Sequence, residues 1–281
     1  MTCPVAGPKS GPATGLIREQ IEKGNSTMRT TMKTGWGWMM LAMLVGAGTA
    51  RGEDAAPAVT ASTDLSVLSG YVWRGQVLNN QAVFQPSFTV GKNGFSLNTW
   101  GNANLTDVGT GSSPELNELD LTLGYAKTVG NVGLGVGYIE YSFPNTTVSG
   151  TREVYASIGL PNLPIVPTLS VNYDVDAADG AYGNFGLAYS HGISDKVTLG
   201  LSAGIGAATS GYNSFYFGVD KNAINDVTAG ASLGIALTKS LTITPAIQYS
   251  ALPDSKIKDG AAGLYKDTEA VVGSIKVSYV F

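Results

Sequence analysis

The chain has one cysteine, Cys3, and one histidine, His191, in 281 residues. A single thiol excludes a disulfide framework, and no Cys/His set exists for a metal centre. Charge is sparse, at 14% of residues, and no basic cluster stands out, which argues against a nucleic-acid partner. Long apolar runs are absent as well. After Gly52 no window of 18 apolar residues occurs, so no spanning helix is expected there.

What the chain has instead is alternation with period two, bounded by turn residues. The last segment, Glu269–Phe281, is the clearest case. Val271, Ile275, Val277, Tyr279 and Phe281 share one face, and Ser274, Lys276 and Ser278 share the other. A strand with lipid on one side and water on the other has this pattern. So does the last strand of a soluble sandwich, and the remaining strands have to decide between the two. The aromatic end resembles the C-terminal signal of bacterial outer-membrane β-barrels. That resemblance implies that Tyr279 and Phe281 are read by the barrel-assembly machinery.

Eleven further alternating segments precede the last one. Their outward sets include Leu65, Val67, Tyr71 and Trp73 in the first segment and Phe84, Pro86, Phe88 and Val90 in the second. Later examples are Leu119, Leu121, Leu123 and Tyr125, and Ile243, Pro245, Ile247 and Tyr249. The connections sort by length. Short turns lie at 91–94, 130–131, 161–164, 194–196 and 238–240. Longer loops lie at 77–82, 106–114, 144–150, 175–180, 208–223 and 251–266. A soluble sandwich has no reason to sort its connections in this way. The expected fold is all-β, a closed antiparallel transmembrane barrel of about twelve strands, with ten or fourteen if a hairpin is merged or missed. Pro86, Pro167 and Pro245 sit within strands and are expected to mark bulges. Aromatic residues fall in two girdles, with Tyr71, Trp73, Tyr138, Tyr173 and Tyr249 near the loop ends. Phe88, Phe95, Tyr125, Tyr189, Tyr279 and Phe281 lie near the turns.

The N-terminus reads as an export signal. Arg29 and Lys33 precede a short apolar run within Gly35–Gly48, followed by small residues to Gly52. Residues 28–52 are therefore expected to be a signal peptide, cleaved after Gly52 or, alternatively, after Ala50. Residues 1–27 fit no part of a signal and read as a mis-called start, with a cytoplasmic tail as the alternative. The expected barrel is 53–281, with 11 basic and 19 acidic residues, a net charge of −8. Cys3 falls in the removed part, so the exported chain is expected to be thiol-free.

The first segment reads Leu68-Ser-Gly-Tyr-Val-Trp-Arg-Gly-Gln76 and leads to Pro86-Ser-Phe88. Tyr-x-Trp-Arg-Gly near a mature N-terminus resembles the TorF family of exported porin-like proteins. The likeness covers the first hairpin, and Gln76-Val-Leu78 follows where family members often carry Ser. The resemblance implies an outer-membrane barrel and a channel, without specifying a solute.

The inward phases are small and polar, for example Thr198, Gly200, Ser202 and Gly204, or Thr228, Gly230, Ser232 and Gly234. Such side chains leave the interior of about twelve strands unfilled, and water with a solute path is the simplest occupant. Glycine serving curvature, or loops plugging the top, are the alternatives. Candidate pore-lining residues are Arg74, Trp100, Glu118, Asp120, Glu153, Asp174, Asp226 and, deeper, Lys276. A mostly acidic mouth favours cations, unless the charges are ion pairs bracing the wall, such as Arg74 with a carboxylate. Trp100 narrows the pore or marks a register error. The loop at 208–223, with Tyr212, Phe215, Tyr216 and Phe217, folds inward or extends the sheet.

An enzyme is not expected. Hydrolytic barrels use His with Ser or carboxylates at the outer rim, whereas His191 lies on the outward phase beside a short turn. Asp176 and Asp179 lack an EF-hand spacing for Ca²⁺. The glycine-rich runs at 133–137 and 204–206 lie within strands and are not nucleotide loops. No cofactor is expected. The expected function is passive diffusion of small hydrophilic solutes or ions, weakly cation-preferring. The alternative is a structural barrel that binds a periplasmic partner. Expected partners are outer-membrane lipid, the assembly machinery and the solutes, with a homo-oligomer left open.

Overall fold

The computed structural model describes residues 59–107 and 113–281. The expected signal peptide and the segment before it lie outside the described residues. In chain order the elements are β1 (Thr60–Leu68), β2 (Tyr71–Trp73), β3 (Gln76–Asn79), β4 (Val83–Lys92), β5 (Phe95–Asn104), β6 (Glu115–Val129), β7 (Val132–Ser142) and β8 (Thr151–Gly159). Then come β9 (Ile165–Asp174), β10 (Gly180–Gly192), β11 (Val197–Ala208), α1 (Ser210–Phe217), β12 (Ala223–Ala236), β13 (Leu241–Ala251), α2 (Ser255–Ala261) and β14 (Glu269–Val280).

Twelve of the strands form a closed antiparallel barrel in which each pairs with its sequence neighbours. β1 closes it on β14, with Thr63 opposite Tyr279, Leu65 opposite Val277 and Val67 opposite Ile275. β2 and β3 stand apart as a two-stranded sheet. Closure leaves no strand edge, so backbone groups pair within the wall and need no water from a bilayer.

The alternation has the expected sense. Leu65, Leu121, Leu123, Val136, Leu169, Phe185 and Ile247 are exposed on the outer face, while Ser66, Asn98, Thr122, Asn172 and Asn184 are buried inside. A soluble domain has the reverse distribution. An apolar exterior around a polar interior is the surface of a membrane-spanning barrel.

Two expectations change. The first concerns Tyr71 and Trp73, which do not face lipid. The wall strand stops at Leu68, and both residues belong to the inner hairpin, with Trp73 fully buried. The cause is a two-residue turn at Arg74 (φ 47°) and Gly75 (φ 79°) between the paired residues Trp73 and Gln76. Two consecutive positive φ values are the hairpin turn geometry that matches strand twist. The second concerns the prolines, which sit at no bulge. The ladder skips a step beside Pro86 on the β5 side and beside Pro245 on the β12 side with no change of register. Pro167 lies beyond the β8–β9 ladder, where its carbonyl accepts from Leu160 at 3.1 Å. Register shifts fall instead at Asn102/Ala103 and Gly206/Ala207. Of the two readings for the 208–223 loop, the structure takes the inward one, with the helix α1 packed against the inner hairpin.

Candidate functional site: the stoppered lumen

The connection from β1 to β4 folds into the barrel. Its entrance is fixed to the closing strand, where the Ser69 amide donates to the Gly273 carbonyl at 2.9 Å and the Gly273 amide to Ser69 Oγ at 3.0 Å. Its exit is fixed by Asn79, whose Nδ2 donates to Asn104 Oδ1 at 2.8 Å. Lys266, in the last loop, donates its amide to the Val77 carbonyl at 2.9 Å. The hairpin is thereby tied to three parts of the wall and loops.

The loop-side elements close over it. α1 buries Tyr212, Tyr216 and Phe217, and α2 buries Ile257 and Ala261, in one cluster with Val72, Trp73, Val77, Tyr182 and Leu252. Asp254 caps α2 by accepting from the Lys256 and Ile257 amides at 3.0 and 3.2 Å. Tyr265 Oη donates to the Tyr216 carbonyl at 2.7 Å. Gly180 is needed where α1 lies on β10, because a Cβ there would sit 2.2 Å from the Tyr212 amide nitrogen.

Arg74 projects from the hairpin turn into the wall. Its Nη1 and Nη2 donate to Glu153 Oε1 and Oε2, each at 2.7 Å, a parallel fork between planar groups. The guanidinium carbon lies 4.3 Å from the Trp73 ring centroid, 4.5 Å from that of Tyr182 and 5.6 Å from that of Tyr212. Glu153 also accepts from Tyr141 Oη at 3.0 Å and Asn172 Nδ2 at 3.1 Å. Burial alone pulls the guanidinium pKa down, but the Glu153 carboxylate and nearby phenols outweigh it and hold it well above its ordinary value. Burial also raises the phenols of Tyr212 and Tyr216, so both remain neutral, Tyr212 accepting from Gln76 Nε2 and Tyr216 donating to Asp174.

The expected site residues occupy two levels. Glu118, Asp120, Glu153, Asp174 and Asp226 lie in the closed loop-side half, each at most 3% exposed, and ring no open mouth. Glu118 accepts from Tyr71 Oη at 2.7 Å, and Asp226 from Tyr182 Oη at 2.8 Å. Asp174 is held by Thr151 Oγ1 and by the Asp176 and Ala177 amides at 2.9 Å, which makes it a loop support. Asp120 has no hydrogen-bond partner on either oxygen among the described residues. Trp100 faces inward, 5.9 Å from the Tyr71 ring, so β5 has the expected register. Lys276 lies nearer the turns, 3.8 Å from Asp64. Tyr279 and Phe281 are outward, with Phe281 edge-on to Phe88 at 6.3 Å. His191 stacks on Tyr189 at 6.3 Å on the outer face. Asp176 faces Arg152, and Asp179 accepts from Tyr173 Oη at 2.5 Å.

The middle of the wall is different. Ser170, Ser202, Thr228, Gln248 and Ser274 point inward yet keep intermediate exposure, whereas Thr89, Ser96, Ser232, Thr244 and Ser278, nearer the turns, are buried. The sequence offered no sign of Tyr141, Tyr182 or Asn172 as partners of the plug, because each alternates like any wall residue.

These features define the class: a twelve-stranded transmembrane β-barrel with a polar lumen, stoppered from the loop side by its own first connection. The chain matches, over residues 52–271, the family described as "Bacterial protein of unknown function (Gcw_chp)", and it belongs to that family. Among solved structures it is similar to the NanC porin, at 14% identity over 78% of this chain and 98% of that one, with a TM-score of 0.48. It is also similar to the KdgM porin, at 12% identity over 78% and 99% of the two chains, with a TM-score of 0.49. A third is the COG4313 outer membrane channel from Pseudomonas putida F1, at 8% identity, 82% and 97% coverage and a TM-score of 0.46. No curated protein matches.

Proposed function

We propose that the protein is a bacterial outer-membrane channel for small hydrophilic solutes or ions, with its outer mouth held shut by the Tyr71–Asn79 hairpin. The supporting observation is the inner wall along the middle of the barrel. Small polar side chains such as Ser202, Thr228 and Gln248 face inward and remain accessible. An interior meant only to be packed would be filled by larger side chains. In this reading Arg74, Trp100, Glu118, Asp120, Glu153, Asp174 and Asp226 form the closed segment, and Lys276 lines the accessible one. Passage then requires the hairpin to move, and the carboxylates that its movement uncovers favour cations. The Tyr71–Gly75 motif supports a narrower placement among TorF-like porins. Export through residues 28–52, insertion by the assembly machinery and an absence of enzymatic chemistry belong to the same proposal.

The test is current through refolded protein in planar bilayers, for wild type and for a variant in which residues 70–80 are replaced by a short glycine-serine link. Low or intermittent conductance in wild type and a steady, cation-preferring current in the variant are expected. No current in either would favour a structural barrel, and an anion-selective variant would refute the cation preference.

A further inference from the structure

The closed half of the barrel is built around a cation, and the chain supplies that cation itself. Five buried carboxylates occupy this layer, those of Glu118, Asp120, Glu153, Asp174 and Asp226, with one guanidinium, that of Arg74. A structural brace needs a single carboxylate, and Glu153 already provides the fork at 2.7 Å on both nitrogens. The surplus is concentrated on the adjacent wall. Asp120, 3% exposed, lacks a partner on both oxygens among the described residues, and Glu118 lacks one on Oε1.

The groups that hold the guanidinium belong mostly to the rigid wall. Glu153 is on β8, and its supporting donors Tyr141 and Asn172 are on β7 and β9. The ring of Tyr182, on β10, covers the guanidinium face at 4.5 Å. If the hairpin withdraws, Trp73 leaves with it, and a carboxylate, an aromatic face and two unpartnered acidic groups remain around the vacated position. This chemistry recognises a planar cation, because the carboxylate matches the fork and the ring matches the face. Among the described residues no three acidic or imidazole side chains stand close enough to hold a metal ion.

We propose that this layer is a binding site for the guanidinium head of a small organic cation, with Arg74 as a tethered occupant that the solute replaces when the hairpin moves. The proposal rests on the channel reading and names the solute class for it.

Arg74→Gly gives a direct test. Residue 74 has φ 47°, a conformation glycine adopts freely, so the turn is retained while the guanidinium position is emptied. Refolded Arg74→Gly barrel in detergent is titrated with low-millimolar methylguanidinium, or with methylurea as the neutral shape control, and the thermal midpoint is recorded. Methylguanidinium should raise the midpoint with an affinity about tenfold or more above methylurea, since hydrogen bonds to charged groups are roughly twice as strong as neutral ones. Adding Glu153→Gln should remove that preference. Equal responses to the two solutes, or a response that survives Glu153→Gln, would overturn the proposal. If Arg74→Gly does not fold, Arg74→Lys is used, because an ammonium lacks the fork and methylguanidinium should displace it. No shift in that variant would equally overturn the proposal. Bilayer recordings separate the two readings. A selective midpoint shift without current in any variant would retain the site and remove the channel, whereas current without selectivity would do the reverse.

Discussion

Replacing Glu153 by Gln should release the plug while leaving the barrel wall intact. The side chains of Arg74 and Glu153 are 0% and 1% exposed, so removing the carboxylate leaves a buried guanidinium without a counter-charge. Breaking a buried pair from one side costs about 3–5 kcal/mol. The glutamine oxygen still accepts one hydrogen bond and the contacts with Trp73, Tyr182 and Tyr212 persist, so the lower figure applies. At 1.36 kcal/mol per factor of ten, about 3 kcal/mol raises the plug-out population by about two orders of magnitude. The assay is alkylation of a cysteine placed at Val77, which is 1% exposed, by an aqueous maleimide. The described residues contain no other thiol. When opening is rapid and labelling slow, the rate follows the open population. Labelling in Glu153→Gln should therefore be about a hundredfold faster than in the parent. The double variant Arg74→Met, Glu153→Gln should recover most of the protection, because neither charge is then buried alone. Equal labelling of parent and Glu153→Gln would refute the latch, and a double variant as exposed as the single would show that packing, not charge, holds the hairpin.

Three other outcomes are expected. Deleting Phe281, which is 73% exposed and edge-on to Phe88 and Tyr279, should lower membrane insertion without affecting export, seen as loss of the heat-modifiable band. A protease-sensitive tag at Gly263, where a Cβ meets nothing within 4 Å, should be cleaved on intact cells, whereas one at Gly130, equally open, should not, and the reverse pattern would invert the barrel. Asp254→Ala should destabilise α2 by about 1 kcal/mol through loss of its cap, read as faster hydrogen exchange over Ser255–Ala261. The Lys221 ammonium beside it, with the amides of Ile257 and Lys256, holds the Asp254 carboxyl below its ordinary value. Its contribution is therefore complete above the ordinary aspartate range and disappears as pH falls through the lowered value.

The wall was legible in the sequence because one face of every strand meets lipid. Leu119, Leu121 and Leu123 on one strand, or Ile275 and Val277 on another, leave a single consistent phase, and a slip of one residue would turn all of them inward. The closing strand fixed the remainder, since the last strand of a closed barrel pairs with its predecessor and with the first wall strand. The hairpin was not legible for the same reason. Tyr71 and Trp73 continue the alternation of Leu65 and Val67, and period two does not distinguish an apolar face on lipid from one on a packed plug. The only local sign was the Arg74-Gly75 pair, and arginine with positive φ is not an expected hairpin residue. The inward carboxylates were placed on the correct phase, but whether they meet water or a guanidinium depends on a connection 79 residues away, as Arg74 and Glu153 show.

The tie between the hairpin and the closing strand also sets an order of events. Ser69 bonds to Gly273, 204 residues further along the chain, and β1 finds its second neighbour only when β14 arrives. The earliest described strand can pair with β4 at once, but its second ladder and the entrance tie of the hairpin behind it wait for the end of the chain. Closing so long a loop has an entropic cost that is recovered only at that last step. Until then Trp73 and Arg74 have no enclosure, and the stopper is the last part of the molecule to be put in place.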